Sequence, residues 1–359
     1  MRVRCSGHVQ REPRLRKSVS LVWAAAMLAG LAPAAPAAEP QPFVPVYPAN
    51  FPDPFILPHN GRYLAYATNA DRDQASVQMA VSPDLVSWAP LKDGGKLHDA
   101  MPVLPVWAER GRTWAPEVMK LEDRYLLFFT ARERASGRQC TGAATSADPL
   151  GPFTSPAAEP LVCQRDLGGT IDASPFRDAD GKLYLYFKAD ANAVGKPTDI
   201  YVQPMTADAM GLTGEPVAML SNDQSWEAHV IESPTMVRHG GAYVLFYSAN
   251  HFGWETDQRL SPYAMGYATC AGPAGPCADA GENPILYSYT DRTAGCLSGP
   301  GHQAVFEAGG KQSILFHAHI ARGGCQNAHK GRQMYIALLG WRDGKPVIGT
   351  SLRPAAQAK

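Results

Sequence analysis

Three acids stand directly ahead of apolar, strand-like runs: Asp53 in "NFPDPF", Asp172 in "TIDASPF" and Glu232 in "IESPTM". They are far apart along the chain, so only a fold could bring them together. Two carboxylates facing each other across a sugar are the minimal machinery for cleaving a glycosidic bond. One, protonated, donates to the leaving oxygen; the other, ionised, activates a water. A third acid can raise the donor's pKa by like-charge repulsion and hold it in place. The number and type of these residues fit that chemistry. Taken singly, each has a plainer reading: Asp53, between Pro52 and Pro54, as a turn residue, Asp172 as a cap, and Glu232 as a surface acid. Glu227, in "WEAHVIESP", competes with Glu232 but lies farther upstream of the strand.

The elements that must position these acids repeat. "DPFILPHNGRYLAYATN" is followed by "APEVMKLEDRYLLFFTA", "SPFRDADGKLYLYFKAD", "SPTMVRHGGAYVLFYSAN" and "HQAVFEAGGKQSILFHAH". Each is a short apolar strand, a turn rich in Gly, Asp or Asn, and a second strand of aromatic and aliphatic residues, which is a hairpin signal. The second strands centre near Leu64, Leu126, Leu185, Leu245 and Leu315, and a weaker strand pair follows each hairpin. Long helical periodicity is missing, and 33 Gly with 31 Pro suit a turn-rich, all-β chain. Five four-stranded units predict a five-bladed β-propeller of antiparallel blades. A pair of β-sandwiches, the rival architecture, would not need one hairpin at a fixed period.

In a propeller the first strands converge on the axis. Aligned on Pro54, Pro116, Pro175, Pro234 and Gln303, the acids stand at offsets −1 (Asp53), −3 (Asp172) and −2 (Glu232). Strict strand alternation would not put those offsets on one face, so convergence predicts irregular backbone at the start of each first strand.

With those residues in place, "NFPDPF", "TWAPEV", "TIDASPF", "IESPTM" and the "GPGH" of the last unit resemble the successive blade motifs of glycoside hydrolase family 43, over about residues 45 to 345. The resemblance implies a five-bladed propeller that hydrolyses with inversion. It implies Asp53 as general base, Glu232 as general acid, and Asp172 as the group that tunes and orients that acid. Glu232 is then expected to titrate above a free glutamate. Trp114 resembles the family's pocket aromatic and would stack on a sugar, a core indole being the alternative. His302 would lie near the axis, where some relatives hold a metal or a water cluster; a core histidine is the plainer role. Arg292 is the arginine expected to reach a sugar hydroxyl, with Arg259 and Arg322 as rivals. No cofactor is implied, and a structural calcium near the axis is the one ion allowed. The sequence context looks most like members that remove arabinose; β-xylosidase and endo-arabinanase are the alternatives within the family. A sugar-binding propeller without catalysis would not need all three acids. A retaining fructan hydrolase would carry a motif like "NDPNG" where this chain has "PDPFI".

The ends and composition set the context. Arg2, Arg4, Arg11, Arg14, Arg16 and Lys17 precede the apolar run "SVSLVWAAAMLAGL" and the small residues around Ala35-Pro36-Ala37. That order is the pattern of a secretory signal peptide over residues 1–37, with 38–359 as a single catalytic propeller. The apolar run is short for a membrane span. The expected mature chain carries 27 basic and 32 acidic residues, so it offers no basic excess for nucleic acid. A carbohydrate is the expected partner, and a secreted or periplasmic location the expected setting. Six cysteines remain after residue 37, and sequence proximity suggests pairs 140–163, 270–277 and 296–325. Zinc is the rival use, but only Cys270 and Cys277 are close in sequence.

Overall fold

The computed structural model describes residues 43–70, 75–253, 260–291, 295–322 and 326–352. Five antiparallel sheets follow one another in chain order. Blade 1 comprises Phe55–His59, Arg62–Ala67, Gln78–Ser82 and Ala89–Pro90. Blade 2 comprises Ala108–Leu121, Arg124–Glu133 and Gln139–Ser146. Blade 3 comprises Thr170–Arg177, Leu183–Ala189, Asp199–Pro204 and Val217–Ser221. Blade 4 comprises Ile231–His239, Ala242–Ala249, Ala264–Cys270 and Cys277–Asp279. Blade 5 comprises Gly301–Ala308, Lys311–Arg322, Gln326–Arg342 and Lys345–Ser351. Each first strand touches those of the neighbouring blades, and the fifth touches the first, so the five close a ring about an axis. This is the expected five-bladed propeller.

Blade 2 departs from four strands. Its outer edge is reduced to isolated bridges, from Thr145 to Thr154, Thr141 to Val162 and Gln139 to Gly169. The segment there, "DPLGPFTSP", carries Pro149, Pro152 and Pro156, which cannot donate to a ladder.

The second strands read as unbroken apolar runs because both of their faces are covered. Leu126 and Phe128 pack with Leu185 and Phe187 of blade 3, while Leu127 and Phe129 pack with Leu64 and Tyr66 of blade 1. The same division recurs between blades 3 and 4, 4 and 5, and 5 and 1. Core is therefore shared out as five wedges between blades. The turn of the first hairpin is Asn60-Gly61, with φ of 48° and 73°, joining His59 to its partner Arg62. Two successive left-handed residues match the twist of the strands they connect.

The ring is sealed by the segment before blade 1. Val46 N–H donates to Met334 O (2.9 Å), Phe51 N–H to Arg332 O (2.7 Å), and Val44 N–H to Ser351 Oγ (3.3 Å). Disulfides join Cys140 to Cys163 and Cys270 to Cys277, as expected. The third expected pair cannot be followed, since Cys325 lies outside the described residues. Among the described residues no helix is long and apolar enough to cross a membrane.

Candidate active site

The first strands start with the same irregularity in every blade. In blades 2 to 5 the pairing of first and second strands slips, between Trp114 and Glu117, Ile171 and Ser174, Glu232 and Thr235, and Gly301 and Ala304. Each slip contains a residue with positive φ: Ala115 (47°), Asp172 (58°), Ser233 (55°) and His302 (52°). Asp53, at 53°, holds the same place in blade 1, two residues before the first paired residue, Phe55. An inserted residue of this kind bends a strand and re-aims its side chain. Left-handed backbone costs a non-glycine residue about 1–2 kcal/mol, so five equivalent cases mark a built feature.

This register corrects the sequence alignment. The partner of Pro54 in blade 3 is Ala173, not Pro175: the blade 3 hairpin is one residue longer, pairing Ser174 with Tyr186 where blade 1 pairs Phe55 with Tyr66, and its proline stands two places further along the first strand. Asp53, Asp172 and His302 then occupy one position of the repeat. Trp114, Ile171 and Glu232 occupy the position before it. The two positions together line one cavity of about 260 Å³, with Thr68, Phe252 and Arg332 completing its wall.

A second layer supports the first. The side chain opposite the bulge on each second strand reaches the next blade. Thr68 Oγ1 accepts Ala115 N–H (2.9 Å) and Thr130 Oγ1 accepts Asp172 N–H (3.3 Å). Ser248 Oγ accepts His302 N–H (2.8 Å), and His317 Nδ1 accepts Asp53 N–H (3.2 Å). The fifth such residue is Lys188, which has no acceptor. Ser233 N–H turns instead to Asp172 Oδ2 (3.0 Å).

The three acids have different environments. Asp53 Oδ1 accepts from Arg332 Nη1 (2.7 Å) and Oδ2 from the Thr68 hydroxyl, while His302 Nδ1 lies 3.5 Å from Oδ1. Burial would raise its pKa, but Arg332 first and then His302 outweigh that and hold it well below the usual carboxylate range. His317 itself is held neutral: burial first, then Arg332, lower it to about 3. Asp172 is pushed up to about 7, chiefly by burial, with His302 opposing and the Glu232 charge adding to the rise. Glu232 receives Lys188 Nζ on Oε2 (2.9 Å) and the Tyr263 hydroxyl on Oε1 (2.8 Å). Burial works against its charge, but Lys188 and those two bonds draw its pKa down. The expected elevation of Glu232 is thus found on its neighbour Asp172, because sequence reading did not include a buried lysine.

Tyr263 reaches Glu232 through a gap in the repeat. Gly301 holds the position that carries Trp114 and Glu232 in other blades, and a Cβ there would lie 2.1 Å from a Tyr263 ring carbon. Trp114 is half-buried in the cavity wall, as expected of a pocket aromatic. Glu227 is not in the cavity. It accepts backbone N–H groups of Asp223 (2.9 Å) and Gln224 (3.0 Å) and the Tyr247 hydroxyl (2.7 Å), which makes it a structural cap.

Arg292 and Arg259 lie outside the described residues, and nothing is described of the Arg322 side chain. Among the described residues the arginine in the cavity is Arg332, on the third strand of blade 5, where nothing in the local sequence sets it apart from the three candidates. Its guanidinium also lies over the Phe252 ring, 5.4 Å from the centroid. Around His302 no group of three His, Cys, Asp or Glu ligands gathers among the described residues. Calcium takes six to eight oxygens, waters among them, and the Asp53 carboxylate near His302 is engaged by Arg332 and Thr68.

Residues 44–346 match the model of glycosyl hydrolases family 43. The chain belongs to this family of glycoside hydrolases. It is 26% identical over 318 residues to an arabinoxylan arabinofuranohydrolase of Bacillus subtilis (strain 168), covering 78% of this chain and 58% of that protein. It thus spans little more than half the length of that relative. A solved thermostable family-43 glycoside hydrolase aligns with TM-score 0.71 at 29% identity, covering 88% of this chain and 97% of the other. A solved endo-1,4-β-xylanase of Bacteroides thetaiotaomicron aligns with TM-score 0.68 at 31% identity, covering 87% and 98%.

Proposed function

We propose that this chain hydrolyses glycosidic bonds with inversion and removes α-L-arabinofuranosyl units from arabinose- or xylose-containing plant polysaccharides or oligosaccharides. The observation that carries the reading is the separation of charge states among three carboxylates around one small cavity. Asp53, kept ionised by Arg332, is the general base that takes a proton from the attacking water. Glu232 is the general acid. Its neighbour Asp172 retains a proton up to about pH 7. Glu232 in its protonated form donates to the leaving oxygen as the glycosidic bond breaks, while Asp53 takes the proton of the attacking water. Asp172, linked through Ser233 N–H to the strand that carries Glu232, tunes and orients that acid.

Trp114 supplies a face for the sugar ring, and Arg332 and His302 supply donors at its hydroxyls. A cavity of about 260 Å³ is small beside typical ligand sites of about 300–1,000 Å³. That size suits one sugar ring and favours release of single terminal units. The arabinose preference rests on the likeness to the arabinoxylan arabinofuranohydrolase. Export through a cleaved segment 1–37 fits the Cys140–Cys163 and Cys270–Cys277 disulfides, which persist in oxidising compartments. The test is a panel of nitrophenyl α-L-arabinofuranoside, nitrophenyl β-D-xyloside and sucrose. Turnover of the first above the others is expected. Turnover of the xyloside alone would move the reading to a β-xylosidase, sucrose cleavage would indicate a fructan hydrolase, and binding of arabinose without turnover would leave a sugar-binding propeller.

A further inference from the structure

Lys188 is the one lysine in the layer behind the cavity. Its side chain is almost wholly buried, and its Nζ is shared between Glu232 Oε2 (2.9 Å) and Asp190 Oδ1 (3.3 Å). A buried cation carries a desolvation penalty, and well-packed apolar residues often serve stability as well or better. The other four blades put Thr68, Thr130, Ser248 and His317 in this place, each accepting an N–H of the next blade. Lys188 gives up that bond at the blade boundary where the general acid stands. Architecture therefore does not account for it, whereas the chemistry of Glu232 does.

We propose that Lys188 is a positioning residue that sets the proton affinity of Glu232, and that Asp190 moderates it by taking part of the lysine's charge. The inference rests on the proposed role of Glu232 as acid. The groups that bear on the pair come from several blades. Asp172 and Asp53 add negative charge, His302 faces Asp172 Oδ2 at 4.0 Å, Tyr263 donates to Glu232, and Arg138 acts on Asp190. Of these only Lys188 is a full positive charge in direct contact with the Glu232 carboxylate among the described residues. An opposite charge within about 4–6 Å lowers a carboxyl pKa by about 1–3 units. Removing it must raise the pKa of Glu232, and removing the competing Asp190 charge must lower it.

The test compares Lys188→Met and Asp190→Asn with the parent. The first readout is the basic limb of kcat/KM against pH on an arabinofuranoside with a poor leaving group. The limb should move to higher pH, by about one unit or more, in Lys188→Met, and to lower pH in Asp190→Asn. Opposite shifts from two neighbouring substitutions are not what a structural role would produce. The second readout is the carboxyl carbon resonance of Glu232, followed by NMR in glutamate-labelled protein. It should show the same two displacements whether or not any sugar is cleaved. If the parent cleaves nothing yet the resonance moves as stated, the enzymatic reading fails and the Lys188 assignment stands. If the resonance keeps its midpoint in Asp190→Asn and in folded Lys188→Met, the assignment is overturned. Should Lys188→Met not fold, the Asp190→Asn displacement alone decides.

Discussion

At the scale of single residues, the proposed mechanism makes Asp53 the base and Glu232 the acid, and these differ in what a substrate asks of them. A base must be ionised for every substrate, whereas an acid matters most when the leaving group is poor. Asp53→Asn and Glu232→Gln are each expected to cost about 10²–10⁴ in rate on a poor leaving group. With an activated aryl leaving group, Glu232→Gln should lose much less than Asp53→Asn. Equal losses on the activated substrate would undo the acid assignment. Asp172 makes a separate prediction. Its carboxylate disfavours a charge on Glu232, so Asp172→Asn should move the basic limb of activity to lower pH. Its raised pKa also has a stability consequence. A carboxyl raised to about 7 in the folded state binds its proton more tightly there than in the unfolded chain. That contribution is complete below the unfolded value near 3.9 and is lost as pH rises through 7. The unfolding midpoint of Asp172→Asn should therefore fall less than the parent's between pH 4 and 8, and parallel curves would contradict the assignment. The three acids and Trp114 were legible in the sequence because prolines and short motifs flag the start of each first strand. Lys188, Tyr263 and Arg332 were not, since each sits on a second or third strand or in a connection where nothing local distinguishes it.

At the scale of elements, the working unit is the bulged start of a first strand. Sequence reading anticipated irregular backbone there but assigned three different offsets. In blade 3 the proline of "SPF" stands two places past the one that Pro54 holds in blade 1, and the hairpin is one residue longer, so matching prolines set Asp172 off by two, which an apolar pattern does not reveal. Once the bulges are aligned, Asp53 and Asp172 are equivalent, and Glu232 is one residue away on the position of Trp114. The same position in blade 5 must stay empty for Tyr263. Gly301→Ala would place a methyl 2.1 Å from the tyrosine ring. Overpacking of this kind costs about 1–3 kcal/mol. We expect a lower denaturant midpoint, and a lower kcat as Tyr263 leaves Glu232. Unchanged stability and activity would mean that the ring moves aside freely and that its bond to Glu232 is dispensable.

At the scale of the molecule, the propeller turns five weak hairpins into one rigid rim. No blade has a core of its own; the apolar wedges lie between blades, so the ring must close for any of them to be complete. Closure rests on the segment before blade 1, whose Val46 and Tyr47 are buried against blade 5. Deleting residues up to Tyr47 should lower stability by about 2–5 kcal/mol, from two lost buried side chains, read as an earlier urea transition. A parent-like transition would show that the ring is held elsewhere. The repeat was legible because its period is fixed, but this seal was not, since it pairs the two ends of the fold. The rim then sets the reaction. Asp53 and Glu232 come from blades 1 and 4, which are not ring neighbours, and that placement favours the wider carboxyl separation that the proposed inversion requires. Inverting enzymes keep their carboxyls about 6.5–9.5 Å apart for the attacking water, against about 5–5.5 Å in retaining ones. The most direct measurement is proton NMR of the first-formed sugar during cleavage of an α-L-arabinofuranoside. The account predicts that β-arabinofuranose appears first and mutarotates afterwards, whereas α-arabinofuranose as the first product would make Asp53 a nucleophile and contradict it.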